Sequence, residues 1–275
     1  MYLIMIKDGE RQGSVAILDI LGFRGLWGNK PPNEIFLQMT KYKDLLIKFK
    51  QKIDQGDMAF GKLLSQMNFH TFSDTIIITL EIEKEESLLK SIPLMGTIVG
   101  NLYADVLADK LLLRGAISIG SFYTNQDTLI GPSIDDCAEW YDKANWSGVQ
   151  LTPKTFYAFR KLLKLKDRPV SSPMIFQPYR IPMKDGTSLD CSAINLAFYF
   201  FLTQCQTKEI NVDELKDQEV IDNMLFACEE LKESFYSTFL TNPTIQNKEA
   251  IKFQNTIDFI DHCIKRIKNN TLFEW

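Results

Sequence analysis

The sequence predicts an α+β chain: a mainly antiparallel, ferredoxin-like (split βαβ) sheet with helices on one face, then a C-terminal helical extension. Three observations predict it. Apolar, β-branched runs lie at 14–21, 75–79 and 111–120. Stripes of apolar residues at steps of three and four separate them. One pair of strands joined by a tight turn, within 67–82, sits inside a layout otherwise linked by crossovers. The resulting order, β-α-β-β-α-β followed by α-β, is the split-βαβ pattern.

Each element has its own warrant. SVAILDIL (14–21) is a compact apolar run, a buried strand that Gly22-Phe23 breaks. Pro31, Pro32 and Asn33 start a helix. Phe36, Met39, Tyr42, Leu46, Phe49 and Ile53 form one face of it, and DQGD (54–57) ends it. MNFHTFSDTIIITLEI (67–82) gives the hairpin, with Phe72-Ser73-Asp74 at the bend. Leu88, Ile92, Met95, Val99, Leu102 and Val106 mark a second helix, and LLLRGAISIG (111–120) another buried strand. Ile134, Cys137, Ala138 and Tyr141 suggest a short helix; a strand begins at Gly148, and Pro153 opens a further helix. The Pro-rich stretch 168–190 holds one strand, MIFQPY. A boundary near 185 divides the chain into 1–185 and a helical extension, 186–275. Beyond it AINLAFYFFL (193–202) reads as a buried helix, and 213–240 and 246–268 carry helical stripes.

Composition narrows the function. The chain has 275 residues, 45% hydrophobic and 24% charged, enough to bury a core without staples. A net charge of −4 argues against a general nucleic-acid binder. The longest apolar stretch is about half of what spans a bilayer, and the N-terminal run is too short for a signal peptide, so no membrane partner is expected. Five cysteines, an odd number with no CxxC pair, argue against disulfides or zinc and fit a reducing cytoplasm.

Three charges lie in or beside buried-looking strands: Asp19, Asp74 and Arg114. An isolated buried charge is costly, so each needs a partner or a metal. A structural ion-pair network is one reading. The other follows from the topology, in which the first strand and the hairpin are neighbours. The strand end and the hairpin bend then lie side by side, with Asp19 and Asp74 in reach of one cation. Oxygen-only ligation suits Mg²⁺ or Mn²⁺, usually completed by substrate phosphates.

LDILGF (18–23), FSDTIII (72–78), LRGAISIG (113–120) and GPSIDDCAEWYDKA (131–144) together resemble the motifs of the class III nucleotidyl cyclases, across roughly 14–152. The resemblance implies the class III cyclase fold and conversion of a nucleoside triphosphate to a 3′,5′-cyclic nucleotide and pyrophosphate. It implies two Mg²⁺ or Mn²⁺ ions, held by Asp19, Asp74 and the Ile20 carbonyl. Arg114 falls at a triphosphate-contacting position. Gly22, Phe23, Ser73 and Asp135 fall at further substrate positions, and His70 and Thr128 where the family reads the base. It also implies a homodimer, with metal ligands from one subunit and the ribose motif from the other. Three departures stand out. Asp135 and Glu139 occupy the places of the ribose Asn and the transition-state Arg. Lys143, one helical turn beyond Glu139, is the nearest substitute cation. His70 replaces the purine-selecting Lys, a departure from the purine rule shared by the pyrimidine cyclases of Pycsar antiphage defence, which this chain resembles in size.

Two other readings stay open: a degenerate cyclase that binds a nucleotide or a protein without turnover, and a palm-type polymerase or diguanylate cyclase. Against the last, no GG(D/E)(D/E)F motif occurs, and Asp135-Asp136 lies in a predicted helix.

Overall fold

The computed structural model describes residues 10–55, 64–82, 85–125, 128–165, 172–210, 217–241, 249–269 and 271. Strand β1 (Glu10–Leu21) leads through the short helix α1 (Phe23–Leu26) into α2 (Pro32–Asp54). The hairpin β2 (Leu64–Phe72) and β3 (Thr75–Ile82) follows, then α3 (Ser91–Ala108) and β4 (Leu112–Thr124). Next come β5 (Leu129–Ile130), α4 (Pro132–Trp140), β6 (Val149–Leu151), α5 (Pro153–Leu162) and the single turn α6 (Ser172–Ile175). The hairpin β7 (Phe176–Pro182) and β8 (Ser188–Ile194) precedes α7 (Leu196–Thr207), α8 (Asp217–Thr241) and α9 (Ala250–Lys268).

The sheet runs β2-β3-β1-β4-β6-β8-β7, with β5 paired to β4. All pairings are antiparallel except β4 with β6, which makes the fold α+β with a mainly antiparallel sheet. The four strands β2-β3-β1-β4 and helices α2 and α3 form the split βαβ unit. Strand β1 begins four residues before the apolar run because β4 pairs with it over its whole length, from Glu10↔Tyr123 to Leu21↔Leu112.

Alternate residues of β1 enter two cores, as the period of a strand demands. Ala16, Leu18 and Ile20 join the larger one, under α2 and α3. Val15 and Ile17 join a smaller one with Ala116, Phe122 and Cys137, against which Ile134, Trp140 and Tyr141 of α4 and its cap pack. Helices were expected on one face only; α4 covers part of the other, because its Cys137–Tyr141 side is apolar. The Cys137 thiol lies wholly inside and donates to the Ala116 carbonyl at 3.0 Å.

Helix α3 is buried almost all round, since the sheet lies on one side and α7 and α8 on the other. With the turn before it (Ser87–Ala108), it is long and apolar enough to cross a membrane by composition; here it is the core helix. Two glycines allow the close approach. A Cβ on Gly96 would lie 2.6 Å from Ile175 Cγ2, and one on Gly100 2.3 Å from the Tyr199 ring.

Several expectations change. Leu88 lies in a 3₁₀ turn (Glu85–Lys90) ahead of α3. On α2, Tyr42 and Leu46 are buried but Phe36 is 71% exposed, and Ile35 takes the inward place. The chain past 185 is not all helical. Ser188–Ile194 is a strand between β6 and β7, and residue 185 falls in the β7–β8 turn, where Gly186 donates its N–H to the Met183 carbonyl. The strand MIFQPY starts later, at Phe176, with Met174 and Ile175 in α6. The Ile53 side chain and the expected helical residues 213–216 and 246–248 lie outside the described residues.

The last helix is tied to the loop after α4. Asn255 Nδ2 donates to the Asn145 carbonyl at 2.6 Å, and the Ser147 N–H donates to Thr256 Oγ1 at 2.8 Å. Ser147 Oγ also lies 2.6 Å from the Tyr103 hydroxyl, and Trp146 packs edge-on against Phe259 at 5.0 Å.

Candidate active site at the end of strand β1

Asp19 follows Val15 and Ile17 at the alternate positions of β1, near its end. Its register partners are Thr75 on β3 and Arg114 on β4. Directly opposed residues on one face are in side-chain reach. Arg114 uses it: its Nε–H donates to Asp19 Oδ2 at 2.7 Å. Both side chains are mostly buried, and Asp19 is 9% exposed.

The hairpin bend brings the second acid. Ser73 carries a left-handed backbone, φ 57°, at the first central position of the turn, the kind of conformation tight hairpin turns need. The Asp74 carbonyl accepts the Ile20 N–H at 3.1 Å, which fastens the bend to the end of β1. The Asp74 carboxyl is then close enough to bear on that of Asp19. Burial pushes the Asp19 carboxyl above its usual range; Arg114 opposes the shift and Asp74 adds to it.

The donor set suits a hard cation: two carboxylates side by side, one of them buried and raised, gain from a neutralising charge between them. Among the described residues no third His, Cys, Asp or Glu joins the pair, so the Ile20 carbonyl, substrate oxygens or water would complete the coordination.

The other expected residues divide. Gly22, φ 78°, turns the chain from β1 into α1. The Phe23 side chain is in the larger core, edge-on to Trp27 at 6.0 Å, so its backbone is what remains open to a ligand. His70, paired with Ile77, has an enclosed Nε2 without a partner among the described residues. It lines a groove of about 420 Å³ with Arg11, Lys50, Asn68 and Asn125. Thr128 is exposed beside that groove, donating its N–H to Asn125 Oδ1 at 2.7 Å and accepting the Asn125 N–H at 3.0 Å. His70 and Thr128 therefore both lie at or beside this groove. Asp135 is exposed in the first turn of α4. Lys143 bonds Glu139 at 2.6 Å and lies 4.3 Å from the centre of the Trp140 ring.

Tyr141 was legible only as part of the α4 stripe. Its ring packs on the smaller core, and it is close enough to Asp19, Arg114 and Asp74 for their charges to bear on its phenol.

No protein-family model matches the chain, and no curated protein does. Among solved structures it is similar to the adenylyl cyclase CyaB from P. aeruginosa, at 12% identity, over 67% of this chain and 94% of that one, with a TM-score of 0.41. It is similar to the catalytic core of a rhodopsin-guanylyl cyclase with converted specificity, in complex with ATPαS, at 13% identity over 67% and 96%, TM-score 0.39. A bacterial light-regulated adenylyl cyclase is 10% identical over 84% and 60%, TM-score 0.42. Likeness at this level says nothing of chemistry, for which the residues themselves must answer.

Proposed function

We propose that this chain is a nucleotide cyclase of the class III kind, which converts a nucleoside triphosphate to a 3′,5′-cyclic nucleotide and pyrophosphate. The observation that carries the reading is the meeting of Asp19, Asp74 and Arg114 at the end of β1, from three motifs in the family's order. In the reaction the ribose 3′-oxygen gives its proton to water and bonds to the α-phosphorus, and the bond from that phosphorus to the β-phosphate bridging oxygen breaks, releasing pyrophosphate. Two Mg²⁺ or Mn²⁺ ions on Asp19, Asp74 and the Ile20 carbonyl would supply the charge that favours an ionised 3′-oxygen and a leaving pyrophosphate.

The chain's own residues set the geometry. Asp19 fixes the Arg114 guanidinium through Nε, and no bond to its two terminal nitrogens is found among the described residues, so a phosphate can take them. Lys143, held on the rim of α4 by Glu139, is the cation that serves in place of the family's Arg, acting on the site of the second subunit of a C₂ dimer. The groove at His70 and Asn125 receives the base.

Incubating the protein with each of the four triphosphates and Mn²⁺, with products identified by mass, tests the reading. One cyclic nucleotide with matching pyrophosphate is the expected result. The pairing of Lys143 with Glu139 favours a second reading, a cyclase-like module that binds without turnover. Triphosphate binding without product from any base would establish that alternative.

A further inference from the structure

Resting on that reading, we infer that Tyr141 is a substrate-contacting hydroxyl of the site, supplied by the same chain as the two acids. The ring of Tyr141 packs against the cluster that holds Ile17 and Ala116. These two are register partners, one step along the same sheet face from the partners Asp19 and Arg114. The side chain thus lies over the strands that carry the site. Its backbone is fixed as the cap of α4, with its N–H donating to the Cys137 carbonyl at 2.9 Å.

Among the described residues the hydroxyl has no hydrogen-bond partner, and the residue is half-buried rather than enclosed. Asp19, Arg114 and Asp74 all act on it. A phenol keeps its proton at neutral pH. The group is a neutral donor beside two carboxylates. That is what a phosphate oxygen requires in a place already rich in negative charge: a hydrogen bond that adds no further anion and needs no counter-ion. Since charge grows on the phosphates as the bond to pyrophosphate breaks, the donor is worth more during reaction than in the bound substrate.

Tyr141→Phe and Tyr141→Leu test this together, by product formation with Mn²⁺, binding of a non-cyclisable triphosphate analogue, and melting temperature. We expect Phe to lower kcat by about 10–100-fold, with KM, analogue affinity and melting temperature near wild type, and Leu to lower stability as well. Mixing supplies a second readout. Equal amounts of Tyr141→Phe and Asp74→Asn chains should recover no turnover beyond the slow residual rate, since both changes strike sites built from one chain. Wild-type kcat in Tyr141→Phe would overturn the inference and leave the cyclase reading standing, as would recovery on mixing. A melting temperature for Phe as low as for Leu would overturn it too, making the hydroxyl structural. Absence of cyclic product from wild-type protein with every triphosphate would overturn both.

Discussion

Arg114 Nε–H reaches Asp19 Oδ2 at 2.7 Å from the directly opposed position on the neighbouring strand, so each answers the buried charge of the other. Arg114→Ala leaves Asp19 beside Asp74 with no cation. We expect a loss of about 1.5–3 kcal/mol at neutral pH, the range for a hydrogen bond to a charged group. Urea unfolding should show a smaller loss in acid, where Asp19 is protonated. Arg114→Lys restores the charge without the fork, and should recover stability better than turnover.

Asp19 gives a pH signature. Its carboxyl is raised from 3.8 in the folded chain, by burial first, then Asp74, against Arg114. The folded state binds that proton more tightly than the unfolded one, so this contribution to stability is largest below pH 3.8 and declines as pH rises through the raised value. Asp19→Asn should remove this decline from the curve of melting temperature against pH. It should also abolish turnover and the stabilisation given by Mn²⁺ with a triphosphate analogue. A pH curve parallel to wild type would contradict the assignment.

Lys143 is half-exposed, so Lys143→Ala should scarcely move the melting temperature. Turnover should fall by about 10²–10³, as for the loss of one placed donor, while analogue binding persists. If Lys143 serves the partner's acids, mixing inactive Asp74→Asn and Lys143→Ala chains should restore about a quarter of wild-type turnover, because half the dimers are mixed and each then has one intact site. Light scattering should give a dimer. A monomer at high concentration with nucleotide and metal would sink the shared-site arrangement.

Gly100→Ala tests the central packing. The new methyl would lie 2.3 Å from the Tyr199 ring, with α3 between sheet and α7. We expect a loss of about 1–3 kcal/mol, measured by urea unfolding, and recovery of part of it in Gly100→Ala with Tyr199→Leu.

The split βαβ unit was legible because β1, β3 and β4 carry apolar runs and β2 is joined to β3 by a tight turn. The strand Ser188–Ile194 was not: Ser188, Asp190 and Ser192 alternate with small or apolar residues, and that weak signal ran into the apolar start of α7. Phe36 misled because its spacing matched a stripe whose inward place Ile35 holds. Asp19 and Asp74 could be placed together from strand order alone, since the hairpin bend and the end of β1 have to be neighbours. The Arg114–Asp19 bond follows from a register that sequence spacing does not fix. The position of Tyr141 depends on which sheet face α4 covers, and no stripe encodes that.

The hydrogen bonds from Asn255 and Thr256 reach into the stretch that leaves α4, where Asn145 and Ser147 have their backbone groups. A fragment ending after α8 would lose those hydrogen bonds, at about 0.5–1.5 kcal/mol each, against a stability of about 5–15 kcal/mol. It would also uncover Trp146, fully buried against Phe259. Limited proteolysis should therefore not trim the chain to a durable core that lacks α9. The final helix is a condition for the first half to keep its shape, and whatever pulls on α9 pulls on the residues that follow Tyr141 and Lys143.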